Sequence, residues 1–154
     1  MMRERQRRGS TRRDVLAGAG SMSLLAVHPA LATPEAMAAE IRSFTGGLDI
    51  REGRVVLDIP PLVENGNSVP VEVRVDSPMT PQDHVRTIAI FNERNPQPDV
   101  VRFHLTPRAG RALVSTRIRL GDSQTIVAIA QMSDGTFWRA SADLIVTLPA
   151  CVET

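Results

Sequence analysis

One cysteine is all the thiol this 154-residue chain has, and lysine and tyrosine are missing altogether. A single cysteine excludes an internal disulfide. It leaves pairing with another molecule, carriage of a group, or a free reactive thiol. Aromatic residues make up only 3% of the chain, and no basic cluster lies outside the first 13 residues. That combination argues against a nucleic-acid partner. All 18 basic residues are arginine, which we read as coding bias without functional content. No apolar run in the body of the chain has the length of a membrane span.

Sites are scarce as well. His84 and His104 stand alone on polar faces and read as solvated surface residues. Ser115 and Ser141 have no histidine at a recognisable spacing, so a hydrolytic triad is unsupported. There is no glycine-rich phosphate loop and no carboxylate–histidine cluster. A blue-copper centre needs two histidines and usually a methionine around its cysteine, clustered near the last strand. Here the chain stops three residues after Cys151, with no histidine among them. The expectation is therefore no catalytic residue, no cofactor and no metal.

Two stretches stand out against this background. The first is the N-terminus. Arg3, Arg5, Arg7, Arg8, Arg12 and Arg13 precede a moderately apolar run from Val15 to Val27, and Ala30-Leu31-Ala32 supplies small residues. This is the pattern of a twin-arginine signal peptide over residues 1–32, cleaved after Ala32. It implies export to the bacterial periplasm, an oxidising compartment. Cleavage would remove six arginines with Glu4 and Asp14. That leaves 12 arginines against 15 acidic residues, a net charge of −3. The second stretch is the C-terminus, Thr147-Leu148-Pro149-Ala150-Cys151-Val152-Glu153-Thr154. Free cysteine is usually buried inside an element. This one hangs beyond the last strand, so residues 148–154 read as a mobile arm bearing a sulfur. Fully extended, Leu148 to Cys151 reaches roughly 13–14 Å.

Between them, residues 33–147 read as one β domain. Thr33 before Pro34 marks a helix start and Gly46-Gly47 its end, with Met37, Ile41 and Phe44 on one face. Period-two patterns then predict seven strands: 55–59, 69–76, 85–92, 101–105, 112–120, 125–132 and 136–147. Turn residues separate them, Glu64-Asn65-Gly66-Asn67 among them, whose types tolerate positive φ. The fold class expected is all-β, an immunoglobulin-like antiparallel β-sandwich with one short N-terminal helix. Ile88-Ala89-Ile90-Phe91 and Ile126-Val127-Ala128-Ile129-Ala130 are apolar on both faces. Either the helix or a partner protein must cover their outer side, and the shortness of the helix favours a partner.

Taken together, Glu64-Asn65-Gly66-Asn67-Ser68-Val69-Pro70, Val75-Asp76-Ser77-Pro78-Met79-Thr80, Asn95-Pro96-Gln97-Pro98, Ser115-Thr116-Arg117-Ile118-Arg119-Leu120 and Met132-Ser133-Asp134-Gly135 resemble the SoxY family. SoxY is the sulfur-carrier subunit of the bacterial thiosulfate-oxidising Sox system. The resemblance spans about residues 34–147. It implies a heterodimer with a second small β-protein, SoxZ, and a sulfur substrate held covalently on the C-terminal cysteine, here Cys151. It also implies a cytochrome, a hydrolase and a dehydrogenase acting on that cargo, so the chain is a carrier and not an enzyme. The family tail is similar to a cysteine between glycine pairs. Here Pro149-Ala150 precede Cys151 and Val152-Glu153-Thr154 follow it, which implies a stiffer arm. The competing reading is a periplasmic immunoglobulin-like binding or structural module whose cysteine is incidental or forms a dimer.

Overall fold

The structure is a computed structural model and describes residues 32–151. The expected signal peptide, except Ala32, and Val152–Thr154 lie outside the described residues.

The helix α1, Pro34–Thr45, forms where its end signals place it. The Thr33 hydroxyl accepts the Ala36 amide at 3.2 Å. Gly46 closes the helix in the left-handed conformation, φ 64°, which glycine adopts without steric cost. Nine strands follow: β1 (Ile50–Glu52), β2 (Val55–Asp58), β3 (Leu62–Val63), β4 (Val69–Val75), β5 (Val85–Asn92), β6 (Asp99–His104), β7 (Leu113–Ile118), β8 (Gln124–Met132) and β9 (Phe137–Val146). They make two sheets. The larger runs β1-β9-β8-β5-β6, with β3 also on β9, and the smaller runs β2-β4-β7. Side chains alternating along β4 (Val69, Val71, Val73, Val75) meet Ile88, Ile90, Ile126, Ala128 and Ala130 of the larger sheet in one core. The all-β sandwich with one short N-terminal helix is thus the observed fold.

All seven anticipated strands are present; β1 and β3 are additional. Both depart from the antiparallel expectation, because each pairs parallel with β9. The chain leaves the large sheet at Glu52, crosses into the small one as β2, and returns at Leu62. It meets the same edge of β9 twice, travelling in the same direction. Three and two residues carry too little alternation to announce a strand; β9 supplies the pairing that makes them one.

The outer face of the large sheet also corrects an expectation. Ala89, Phe91, Val127, Ile129 and Phe137 are buried there under Met37, with Ile41 and Phe44 packed alongside. Phe44 meets Phe137 edge-on at 5.6 Å and Phe91 at 5.8 Å. Arg102 lies 5.1 Å from the Phe44 ring and pairs with Glu40 on the helix and Asp99 on β6, each at 2.8 Å. The helix, and not a partner, covers this face. It suffices because the apolar patch is narrow, centred on β5 and β8 with Phe137 of β9 beside them, and large aromatic side chains widen a narrow helix stripe.

Candidate functional site

The site is built where β9 runs out. β3 carries the chain's end along its first steps: the Ile145 amide donates to Pro61 O and the Thr147 amide to Val63 O, each at 2.9 Å. The Thr147 hydroxyl adds a bond to Glu64 O at 3.1 Å. Beyond the strand, Leu148–Ala150 does not leave the body. Gly66 donates its amide to Leu148 O at 2.8 Å, and Ala150 donates to Leu120 O at 2.9 Å. Leu120 in turn donates to Gly66 O at 2.8 Å, which closes a ring of three backbone bonds.

Residues 148–150 were expected to be free arm. They are fastened, because their backbone finds partners on both the 64–67 loop and Leu120. Pro149 fits this geometry. Leu148 bonds through its carbonyl and Ala150 through its amide, and Pro149 lies between them. No amide is needed there. Ala150 is buried to 5% exposure, and Cys151, the next residue, is exposed with its thiol free. The change from fastened to free falls between these two residues.

Gly66 is what lets these segments approach. It is buried, and its φ lies outside the left-handed region. A side chain on it would overlap Leu120 O outright and stand 2.9 Å from Ala150 N and 3.2 Å from Leu148 O. Its motif therefore needs glycine for close backbone approach and not for positive φ, the reason its turn composition suggested. Asn65 shapes the loop by accepting the Asn67 amide on its side chain at 3.0 Å. Asn95 braces the other wall, donating to Arg119 O at 2.6 Å and accepting the Gly121 amide at 3.0 Å, on either side of Leu120. Buried Gln124 also donates to Asn95 Oδ1, at 3.1 Å. Gly66, Asn95 and Gln124 were not singled out individually. The signal was present in another form, since three of the segments that carry the family resemblance, 64–70, 95–98 and 115–120, converge on this arm root.

The remaining candidates stay apart from it. His84 bonds Thr80 O at 3.1 Å and His104 faces Thr87 Oγ1 at 3.2 Å, each serving its own loop or strand. Ser115 and Ser141 lie exposed on different sheets. Among the described residues no three His, Cys, Asp or Glu side chains gather as metal ligands, and no helix is long and apolar enough to cross a membrane. Large apolar side chains are exposed on the strands leading to the thiol: Leu62 and Ile145, paired in register, and then Leu148, at 56–65% exposure.

The family model described as "Sulfur oxidation protein SoxY" matches residues 41–151, which include Cys151. The solved sulfur carrier protein SoxY from Chlorobium limicola f thiosulfatophilum is 29% identical. The match covers 73% of this chain and 92% of that one, with a TM-score of 0.62. A superoxide reductase (neelaredoxin) from Ignicoccus hospitalis is 19% identical over 75% of this chain and 94% of its own, with a TM-score of 0.55. A superoxide reductase from Nanoarchaeum equitans is 13% identical over 62% and 100%, with a TM-score of 0.53. The last two share the fold alone. A search of curated proteins gives no match. The chain belongs to the SoxY family.

Proposed function

We propose that this SoxY-family chain carries its sulfur substrate covalently on Cys151, in the periplasm, while other proteins carry out the chemistry. The observation that carries this reading is the exposure of the only cysteine, one residue beyond the last fastened point of the sandwich.

A thiolate is the nucleophilic form of cysteine, and an exposed one is open to a partner's active site. In the first step a cytochrome enzyme joins thiosulfate to the Cys151 sulfur. The thiol proton is released and two electrons pass to the haem protein as the S–S bond forms. A hydrolase then adds water across the bond to the terminal sulfonate, releasing sulfate and leaving a persulfide on Cys151. A dehydrogenase oxidises that remaining sulfane sulfur to a sulfonate, taking oxygen from three waters and passing six electrons to its own acceptor. The chain itself contributes the sulfur atom that is attacked and a surface that holds it in place.

The partner expected for the body is a SoxZ-like β-protein. With the outer face of the large sheet taken by α1, that partner must use another surface. Export through the twin-arginine route fits a carrier that is folded before it crosses. Ala32, next to the expected cut, is buried and donates its amide to Asn95 O at 2.9 Å. Cleavage after Ala32 therefore falls at the very edge of the folded body and gives up one anchoring bond.

The test is intact-mass analysis of the chain purified from thiosulfate-grown cells. Adducts of sulfane sulfur or thiosulfate on Cys151, removable by reductant, are expected. A thiol that never bears sulfur, or a Cys151→Ser strain that oxidises thiosulfate normally, would falsify the reading. A reducible homodimer in place of adducts would favour a structural module.

A further inference from the structure

We infer that Gly66 is a positioning residue for the carrier thiol: with Leu120 it clasps the root of the arm, so that Cys151 is presented at one place on the surface. The inference rests on the reading of Cys151 as the carrying residue.

Three observations bear on it. First, no side chain fits at Gly66, and all three atoms crowding its missing Cβ are backbone, which cannot swing aside. Two of them, Leu148 O and Ala150 N, belong to the arm. Second, the arm adopts its part of the geometry. Ala150 buries its methyl group, and Pro149 lies between the bonded Leu148 carbonyl and Ala150 amide, where the clasp uses no amide. Third, the clasp does not float. Asn65 holds the loop on one side, and Asn95 with Gln124 holds both neighbours of Leu120 on the other.

A consequence for reach follows. With Ala150 fastened, the Cys151 backbone lies about 3.5 Å further along the chain, one residue, in place of the longer swing of a free four-residue arm. An enzyme acting on the carried sulfur must then approach the carrier beside Gly66 and Leu120. Its active site need not admit a long tether, but its rim must accommodate the clasp.

The test uses the full chain and its backbone dynamics. In the wild type, the Ala150 amide is expected to show an order parameter near the rigid value of about 0.85. In Gly66→Ala, Ala150 and Cys151 should fall below about 0.6, while Ile90 and Ile129 stay rigid. Ala150 amide exchange should accelerate at least about tenfold in the same variant. Gly110→Ala is the control: it strains a φ of 71° in open space and should leave Ala150 rigid. Should Gly66→Ala not fold, the wild type alone decides. An Ala150 amide as mobile and as fast to exchange as open chain overturns the clasp; a protected one supports it. A clasp that behaves as stated on a Cys151 that never carries sulfur would sink the carrier reading and leave only a structural clasp.

Discussion

The sandwich and the arm root are held by different means. In the sandwich, Ile88, Ile90, Ile126, Ala128 and Val73 have no exposed surface at all, and stability is spread over some twenty side chains. At the arm root the arm itself buries no large side chain; Leu120, its anchor, belongs to the sandwich core. The chain is held by backbone bonds that meet at one glycine, with a single methyl group tucked beneath. The difference separates two properties a carrier needs. A body sustained by many contacts loses little from any exposed position, whereas a root sustained by few depends on one residue.

The sharpest way to break that separation is Cys151→Ser. It should abolish sulfur loading completely and leave stability within about ±0.5 kcal/mol, as read by intact mass and urea unfolding. A large loss of stability would mean that the terminus belongs to the body after all. Next comes Ile90→Ala in the core, which should cost about 2–5 kcal/mol in urea unfolding. The surviving folded fraction should still label at Cys151 at the wild-type rate. Phe44→Ala tests the helix cover. The side chain is partly exposed, so the expected loss is about 2 kcal/mol, below the range for a fully buried phenylalanine. Newly exposed apolar surface over Phe91 and Phe137 should bind a hydrophobic dye. A smaller loss with no dye binding would reopen the case for a partner on that face.

The smallest effect lies in the β8–β9 turn. The Thr136 amide, and after it the Thr136 hydroxyl, donate to Asp134 and hold its carboxyl below its ordinary 3.8. A native value below the unfolded one stabilises the protein above pH 3.8, and that contribution fades as the pH falls through the native value. The difference in urea midpoint between wild type and Asp134→Ala should therefore be small at pH 6 and should shrink below the carboxylate range. A gap that widened in acid would contradict the hydrogen-bonding account.

Where a pattern repeats over several residues, the fold is legible from sequence. The alternation along Val69–Val75, and the Thr33-Pro34 and Gly46-Gly47 boundaries of the helix, each point to one structure by local physics. β1 and β3 escape because they are strands only by virtue of β9. The helix cover was weighed against a partner by length, and length misses how far Phe44, Phe91 and Phe137 extend the contact. The exposed sulfur at Cys151 was visible from its place beyond the last strand. Its fastening was not, because a glycine needed for close approach has the same letters as one needed for a turn. Only the positions of Leu120 and Leu148 tell the two apart.

β9 lies late in the chain and is the strand on which β1, β3 and β8 all pair. A chain emerging from the ribosome cannot complete its large sheet until Val146 has been made, five residues before the thiol. A product broken off before Phe137 thus lacks the strand its sheet is built on. A completed sandwich therefore requires a chain made to within five residues of Cys151.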